Sequence, residues 1–273
     1  MATPIGNLGD IAERAKEVLA AADLVLCEDT RHSGRLMAAL GLKAPLRPYH
    51  EHNAARVRPG LIDRLAAGDT LALISDAGMP AIADPGHKLV RDAIEAGILV
   101  SAVPGPSALI MALAISGLPT DRFFFQGFLP AKQGAKERVL RELKGVPATL
   151  VLYESPQRIA DTLGLAAQVL GPRPAAIARE LTKLHEEVRR GRLDELALAL
   201  AAEPVPRGEI VLVIGPPPEG PAVQGEAELD QLLEAALLEL PPGRAAARVA
   251  EATGQPRALL YRRALALRRP DEG

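Results

Sequence analysis

The 273-residue sequence has one cysteine, Cys27, so it forms no intramolecular disulfide and no cysteine-cluster metal site. No apolar run is long enough to span a bilayer, and the N-terminus lacks the basic, apolar and small-residue order of a secretory leader. The five histidines show no zinc-type spacing. A strong excess of one charge is also missing: 32 Lys and Arg against 34 Asp and Glu leave −2, which excludes a generic polyanion binder. These absences predict a cytoplasmic chain with no metal requirement and no membrane partner.

Hydrophobic content of 48% suffices for packed cores, and the length suffices for two domains. Charge is locally uneven. Residues 219–242 carry Glu219, Glu226, Glu228, Asp230, Glu234 and Glu239 and no basic residue, whereas residues 243–273 carry seven arginines against Glu251, Asp271 and Glu272.

Along the first half, short apolar runs alternate with helical patterns, which predicts a mainly parallel sheet covered on both faces. Thr3 to Asp10 is a turn-rich loop with almost nothing before it, so the strand that ordinarily feeds such a loop is expected to be absent or outside this sequence. Asp10 is placed to cap a helix running to Ala22. Asp23–Cys27 reads as a strand ending in the polar cluster Glu28, Asp29, Thr30, Arg31 and His32, either a site or a solvated loop with a helix cap before Ser33–Leu40. Thr70–Ile74 reads as a strand feeding the loop Ser75 to Gly86, whose small residues and prolines let a ligand approach the backbone or simply turn the chain. Ile98–Val103 is predicted as a strand leading through Pro104, Gly105, Pro106 and Ser107 into the helix Ala108–Ser116.

Past a junction at residues 117–120, strands are predicted at Arg122–Gln126, Thr149–Tyr153, Ala175–Ala178 and Gly208–Gly215, with helices at Gln157–Leu170 and Arg192–Ala202. A further helix carries Lys136, Arg138, Arg141 and Lys144 after Lys132, either a phosphate-contacting patch or a solvated face. Pro216 to Pro221 is a linker by composition. Helical segments from about Glu226, Gly243 and Pro256 then follow, the last two arranged as a helix, a glycine turn and a basic helix, which fits a nucleic-acid-binding helix-turn-helix or a small cap. The expected division is an α/β domain over 1–118, a second α/β domain over 119–218, and a linker with a helical, Arg-rich tail over 219–273.

Thr3–Asp10, Glu28–Arg31, Ser75–Pro80, Asp84–Gly86, Val103–Ala108 and Tyr153–Pro156 occur in an order that closely resembles the small-subunit (16S) rRNA cytidine 2′-O-methyltransferase family, RsmI, within the tetrapyrrole methylase superfamily. The near-absent strand before Thr3 departs from that pattern. The resemblance implies a two-domain α/β fold with a cofactor cleft between domains, a homodimer, S-adenosylmethionine as cofactor, and 16S rRNA in the small ribosomal subunit as partner. By the same resemblance, the cofactor would be held by Pro4 and Gly6, by Asp76, Gly78, Met79, Pro80 and Ile82, and by Pro104, Ser107 and Ala108. Tyr153, Glu154, Leu181, Gly208 and Glu209 would close over it from the second domain.

Methyl transfer from a sulfonium to a ribose hydroxyl needs in-line alignment and removal of a proton. Glu28, Asp29, Arg31 and His32 at one strand end, and Glu180, Lys183 and Glu186 at another, are the polar candidates. Asp29 or Glu180 is expected to accept the proton, and Arg31 or Lys183 to hold phosphate or stabilise the alkoxide. Each serves equally as a salt-bridge partner bracing the loops, and the sequence leaves both readings open. Two rivals stand beside this one: methylation of a tetrapyrrole or other small molecule, which has no use for a basic tail, and a non-catalytic module binding nucleotide or S-adenosylmethionine.

Overall fold

The computed structural model describes residues 1–83, 85–218 and 226–267; Asp84, the linker residues Glu219, Gly220 and Pro221, and Arg268 and Arg269 of the tail lie outside the described residues. The chain divides into two compact units, Met1–Pro217 and Pro218–Gly273. Among the described residues no helix is long and apolar enough to cross a membrane.

The first unit is built on two sheets. In the smaller, β1 (Leu24–Cys27) lies between β2 (Leu46–Pro48) and β3 (Leu71–Leu73), all parallel, with Leu26 opposite Leu73 and Cys27 opposite Pro48. All four residues of β1 are buried because successive side chains enter opposite cores. Val25 and Cys27 join Leu19 of α1 (Glu13–Ala21) and Met37 of α2 (Thr30–Ala39). Leu24 and Leu26 join Tyr49, Leu61 of α3 (Glu51–Ala66) and Leu89 of α4 (His87–Glu95). The sheet is thus covered on both sides, and its strand carboxyl ends are left for ligands.

The larger sheet holds β4 (Phe123–Phe128), β5 (Thr149–Glu154), β6 (Pro174–Arg179), β7 (Glu187–Arg192) and β8 (Ile210–Ile214) in the order β4-β5-β8-β6-β7. Only β4 and β5 run parallel; β5–β8, β8–β6 and β6–β7 are antiparallel, so the second sheet does not share the mainly parallel arrangement expected along the first half. One face, with Leu150, Leu152, Ile177, Leu212 and Ile214, is covered by α6 (Gln133–Leu143), α7 (Ile159–Leu170) and α8 (Leu193–Ala201). The other face, with Val151, Ala176, Ala178, Val211 and Val213, receives Leu109, Ala112 and Leu113 of α5 (Ala108–Ile115) together with Ile5. The first loop and α5, both from the opening half of the chain, therefore pack on the second sheet and bring the two sheets to one site.

Three local expectations are corrected, and one strand forms where none is expected. Ile98–Val103 forms no strand: Ile98 N bonds back to Ala93 O, Val103 O accepts from Ala2 N, no ladder forms, and Leu99 is 92% exposed. Asp10 caps no helix, because it ends a 3₁₀ turn (Leu8–Asp10) whose N-terminal cap is Asn7, with Asn7 Oδ1 accepting from Gly9 N at 2.9 Å. The polar segment Glu187–Arg192 is an edge strand. Lys136 does not share a basic face: it lies on the buried stripe of α6 with Leu140 and Leu143, where its ammonium donates to Thr162 Oγ1 at 2.9 Å.

The second unit consists of α9 (Glu226–Glu239), α10 (Pro242–Thr253) and α11 (Arg257–Leu267). Gly254 ends α10 in a left-handed conformation, φ +70°. Leu233, Ala245, Ala246, Val249, Leu260 and Ala264 form its core. Arg263 pairs with Asp230 and Arg248 with Glu239 at 2.8 Å, so part of the basic tail braces the unit, while Arg244, Arg257 and Arg262 are exposed.

Candidate active site

The loop after β3 is fixed by the first loop. Thr3 and Gly78 exchange backbone hydrogen bonds of 2.9 and 3.1 Å, Thr3 Oγ1 donates to Ser75 O at 3.0 Å, and Ser75 Oγ donates to Gly78 O at 2.9 Å. Gly78 has φ +78°, and a Cβ there would meet Ile5 Cγ2 at 3.4 Å and Pro106 O at 3.6 Å. Three loops of the first half thus converge on a position that suits glycine.

Around this point lies a cavity of about 400 Å³, within the usual range for small-molecule sites. From the expected cofactor residues, Asp76, Gly78, Met79, Ile82, Ser107 and Ala108 line one side; Tyr153, Glu154, Leu181, Gly208 and Glu209 line the other. Pro4, Gly6, Pro80 and Pro104 are not among the lining residues. Gly6 and Gly105 instead permit close packing behind it, since a Cβ would fall 2.4 Å from Lys183 Cγ and 2.9 Å from Ala2 Cβ respectively.

The four residues expected to handle proton and phosphate do not line the cavity. Asp29 caps α2: Asp29 Oδ1 accepts from Arg31 N at 2.8 Å, and the Arg31 guanidinium clasps both carboxylate oxygens at 3.2 and 2.9 Å. These bonds, the side-chain one foremost, hold the Asp29 carboxyl down at about 2, which makes it a weak base. Glu180 Oε1 accepts from Lys183 Nζ at 2.8 Å and from Glu209 N at 3.1 Å, and Lys183 Nζ also donates to Glu209 Oε2 at 3.0 Å. The Lys183 bond keeps the Glu180 carboxyl below its ordinary range. Burial works against the Lys183 ammonium, but Glu180 and Glu209 together hold its pKa above the usual value. Glu180 and Lys183 support the backbone at Gly208–Glu209, and of the trio Glu209 alone lines the cavity.

Glu28, immediately before Asp29, does line the cavity at the carboxyl end of β1. Glu154 is 3% exposed and fully engaged: Oε1 accepts from Ser155 N at 2.8 Å and faces Arg158 Nε at 3.3 Å, while Oε2 accepts from Thr162 Oγ1 at 2.7 Å. Asp76 Oδ1 is buried with no hydrogen-bond partner among the described residues. Sequence patterns do not single out Phe128, Ala178 or Val211 of the lining; Phe128 follows a bulge after Phe125, and its ring lies 5.5 Å from Tyr153. The result is an apolar cavity with the carboxylates Glu28, Asp76 and Glu154 at its wall, chemistry suited to a ligand that carries positive charge on an otherwise apolar body.

Residues 2–197 match the family model for tetrapyrrole (corrin/porphyrin) methylases. The chain belongs to the tetrapyrrole methylase family. Residues 223–268 of this methylase match a second model, the RsmI C-terminal HTH domain. It is 51% identical over 269 residues to ribosomal RNA small subunit methyltransferase I of Mesorhizobium japonicum, covering 98% of this chain and 91% of that protein. It is 48% identical over 269 residues to the protein of the same name from Pseudomonas aeruginosa, covering 97% and 95%. Among solved structures, diphthine synthase superposes with a TM-score of 0.60 at 15% identity over 78% of the methylase and 87% of that chain, a likeness of fold.

Proposed function

We propose that this methylase transfers a methyl group from S-adenosylmethionine to the ribose 2′-hydroxyl of a cytidine in 16S rRNA within the small ribosomal subunit, in the cytoplasm and as a homodimer. The observation that carries the reading is the reach of the likeness to the rRNA methyltransferases, 98% of the chain including the helix-turn-helix unit, whereas the fold likeness to diphthine synthase covers 78%. A small-molecule methylase has no use for such a unit.

S-adenosylmethionine fits the cavity: the unpartnered Asp76 Oδ1 offers an acceptor to its polar groups, and the acidic wall favours its sulfonium. When bound it supplies the methyl carbon, whose bond to sulfur breaks, leaving its electron pair on sulfur, as a bond to the ribose oxygen forms. The chain's task is alignment and proton removal, and alignment supplies much of the rate. Gly78 and Gly208 bring backbone against the ligand, and Tyr153, braced by Phe125 at 5.0 Å, forms an apolar wall that excludes water. Glu28 takes the hydroxyl proton. Asp29 and Arg31 hold the start of α2 that follows it, and Glu180 and Lys183 hold Gly208 and Glu209; these four are positioning residues. Arg244, Arg257 and Arg262 contact rRNA phosphates.

Labelled S-adenosylmethionine is incubated with the purified chain and small subunits lacking the modification. Label in 16S rRNA is the expected result; label only in a tetrapyrrole, or binding without transfer, would overturn the reading.

A further inference from the structure

Beside the cofactor cavity lies a second one of about 440 Å³, and the two share Ala83 as a wall. Tyr49 and Glu51 line it where α3 begins, Arg58 farther along α3, and His87 and Lys88 in the first turn of α4. Arg58 is fixed in place by Tyr49 and by Asp92. The dividing wall is strained: Ala81 and Ala83 hold φ values of 67° and 61°, a region that costs any residue with a side chain, and such strain clusters at functional sites.

We infer that this second cavity receives the base of the nucleotide whose ribose is methylated. The inference rests on the proposed transfer to a cytidine and adds the part of the chain that recognises it. Cytosine presents an amino donor beside ring and carbonyl acceptors. Arg58 only donates hydrogen bonds, and ionised Glu51 only accepts them, so the pair offers the complementary set. Uracil replaces the amino donor with a carbonyl, which would face the Glu51 carboxylate with no proton between them. His87 and Lys88 are exposed at the rim, where the adjoining phosphodiester of a nucleotide turned out of its stack would lie. A base seated here brings its ribose to Ala83, against the methyl-donor cavity.

Single-turnover methylation is measured on small subunits carrying the natural target cytidine and on subunits reconstituted with uridine in its place, with S-adenosylmethionine affinity measured separately. Failure of the unaltered chain to label either rRNA removes the proposed function itself, a result distinguishable from transfer without base preference. Given transfer, the unaltered chain prefers cytidine. Glu51→Gln lowers the cytidine rate at least about tenfold and narrows the cytidine-to-uridine preference, as expected for loss of one base-reading contact. Lys88→Ala raises the subunit concentration needed for half-maximal rate and leaves the preference intact. Both variants keep cofactor affinity within about twofold, and retained affinity also reports that these exposed positions leave the fold intact. An unaltered chain indifferent to the base, or a Glu51→Gln variant that keeps the full preference, overturns the inference.

Discussion

Gly208→Ala tests whether the Glu180 network shapes the cavity. Gly208 has φ +94°, and a Cβ there would lie 2.2 Å from the Glu180 carboxyl carbon and Oε1. Alanine in this positive-φ region costs about 1–2 kcal/mol. Glu180 sits at the end of a flexible side chain, but it moves aside only by giving up the bonds from Lys183 Nζ at 2.8 Å and Glu209 N at 3.1 Å. Bonds to a charged group contribute about 1.5–3 kcal/mol when buried, and the 19% and 29% exposure of the two side chains reduces this to about 1–2 kcal/mol. The total, roughly 2–4 kcal/mol, lowers the melting temperature of a unit of this size by about 5–15 °C. Calorimetry on Gly208→Ala, Glu180→Ala and the double variant separates the two contributions. With the Glu180 side chain gone only the backbone cost remains, so the cycle shows a coupling of about 1 kcal/mol or more. Strictly additive single costs would refute the steric reasoning.

Glu28→Gln slows single-turnover methyl transfer by about 10²–10⁴-fold, the usual contribution of a general base, with little change in cofactor affinity; an unaltered rate removes Glu28 from proton transfer. Asp29→Ala weakens the start of α2 and lowers thermal stability while retaining most of the transfer rate, because its carboxyl at about 2 is a structural cap. Glu180 titrates below the ordinary glutamate value, so the stability it lends is present above about pH 4.3 and is lost as pH falls through its lowered folded value; Glu180→Gln flattens that acid limb in pH-dependent melting. Deletion of residues 222–273 weakens small-subunit binding and leaves S-adenosylmethionine affinity almost intact, as titration of each ligand will report.

The strands β1, β3 and β8 were legible because short continuous apolar runs mark them, and the cavity's glycine- and proline-rich loops were legible by their order along the chain. What stayed hidden depends on neighbours distant in sequence. Ile98–Val103 has a strand's composition and no ladder to join, whereas Glu187–Arg192 has a charged composition and gains its ladder from β6 at a sheet edge. Lys136 reads as a surface cation until Thr162 of α7 is set against it. The cluster Glu28 to Arg31 was found as a cluster, but the start of α2 decides which carboxylate meets the cavity: Asp29 turns to cap the helix and Glu28 is left at the strand end.

Lys183 links two glycines that lie far apart in the chain. Its stem occupies the space that a side chain on Gly6 would need, and its ammonium holds Glu180 in the space that a side chain on Gly208 would need. Substitutions at these positions are therefore contingent in descent. A lineage that replaces Lys183 with a shorter residue relieves the tightest contact at Gly6, leaving Thr182 Oγ1 at 3.0 Å, and releases Glu180 from its hold beside Gly208, which still carries the cost of its φ of +94°; substitution at 6 or 208 is therefore expected only after 183 or 180 has changed.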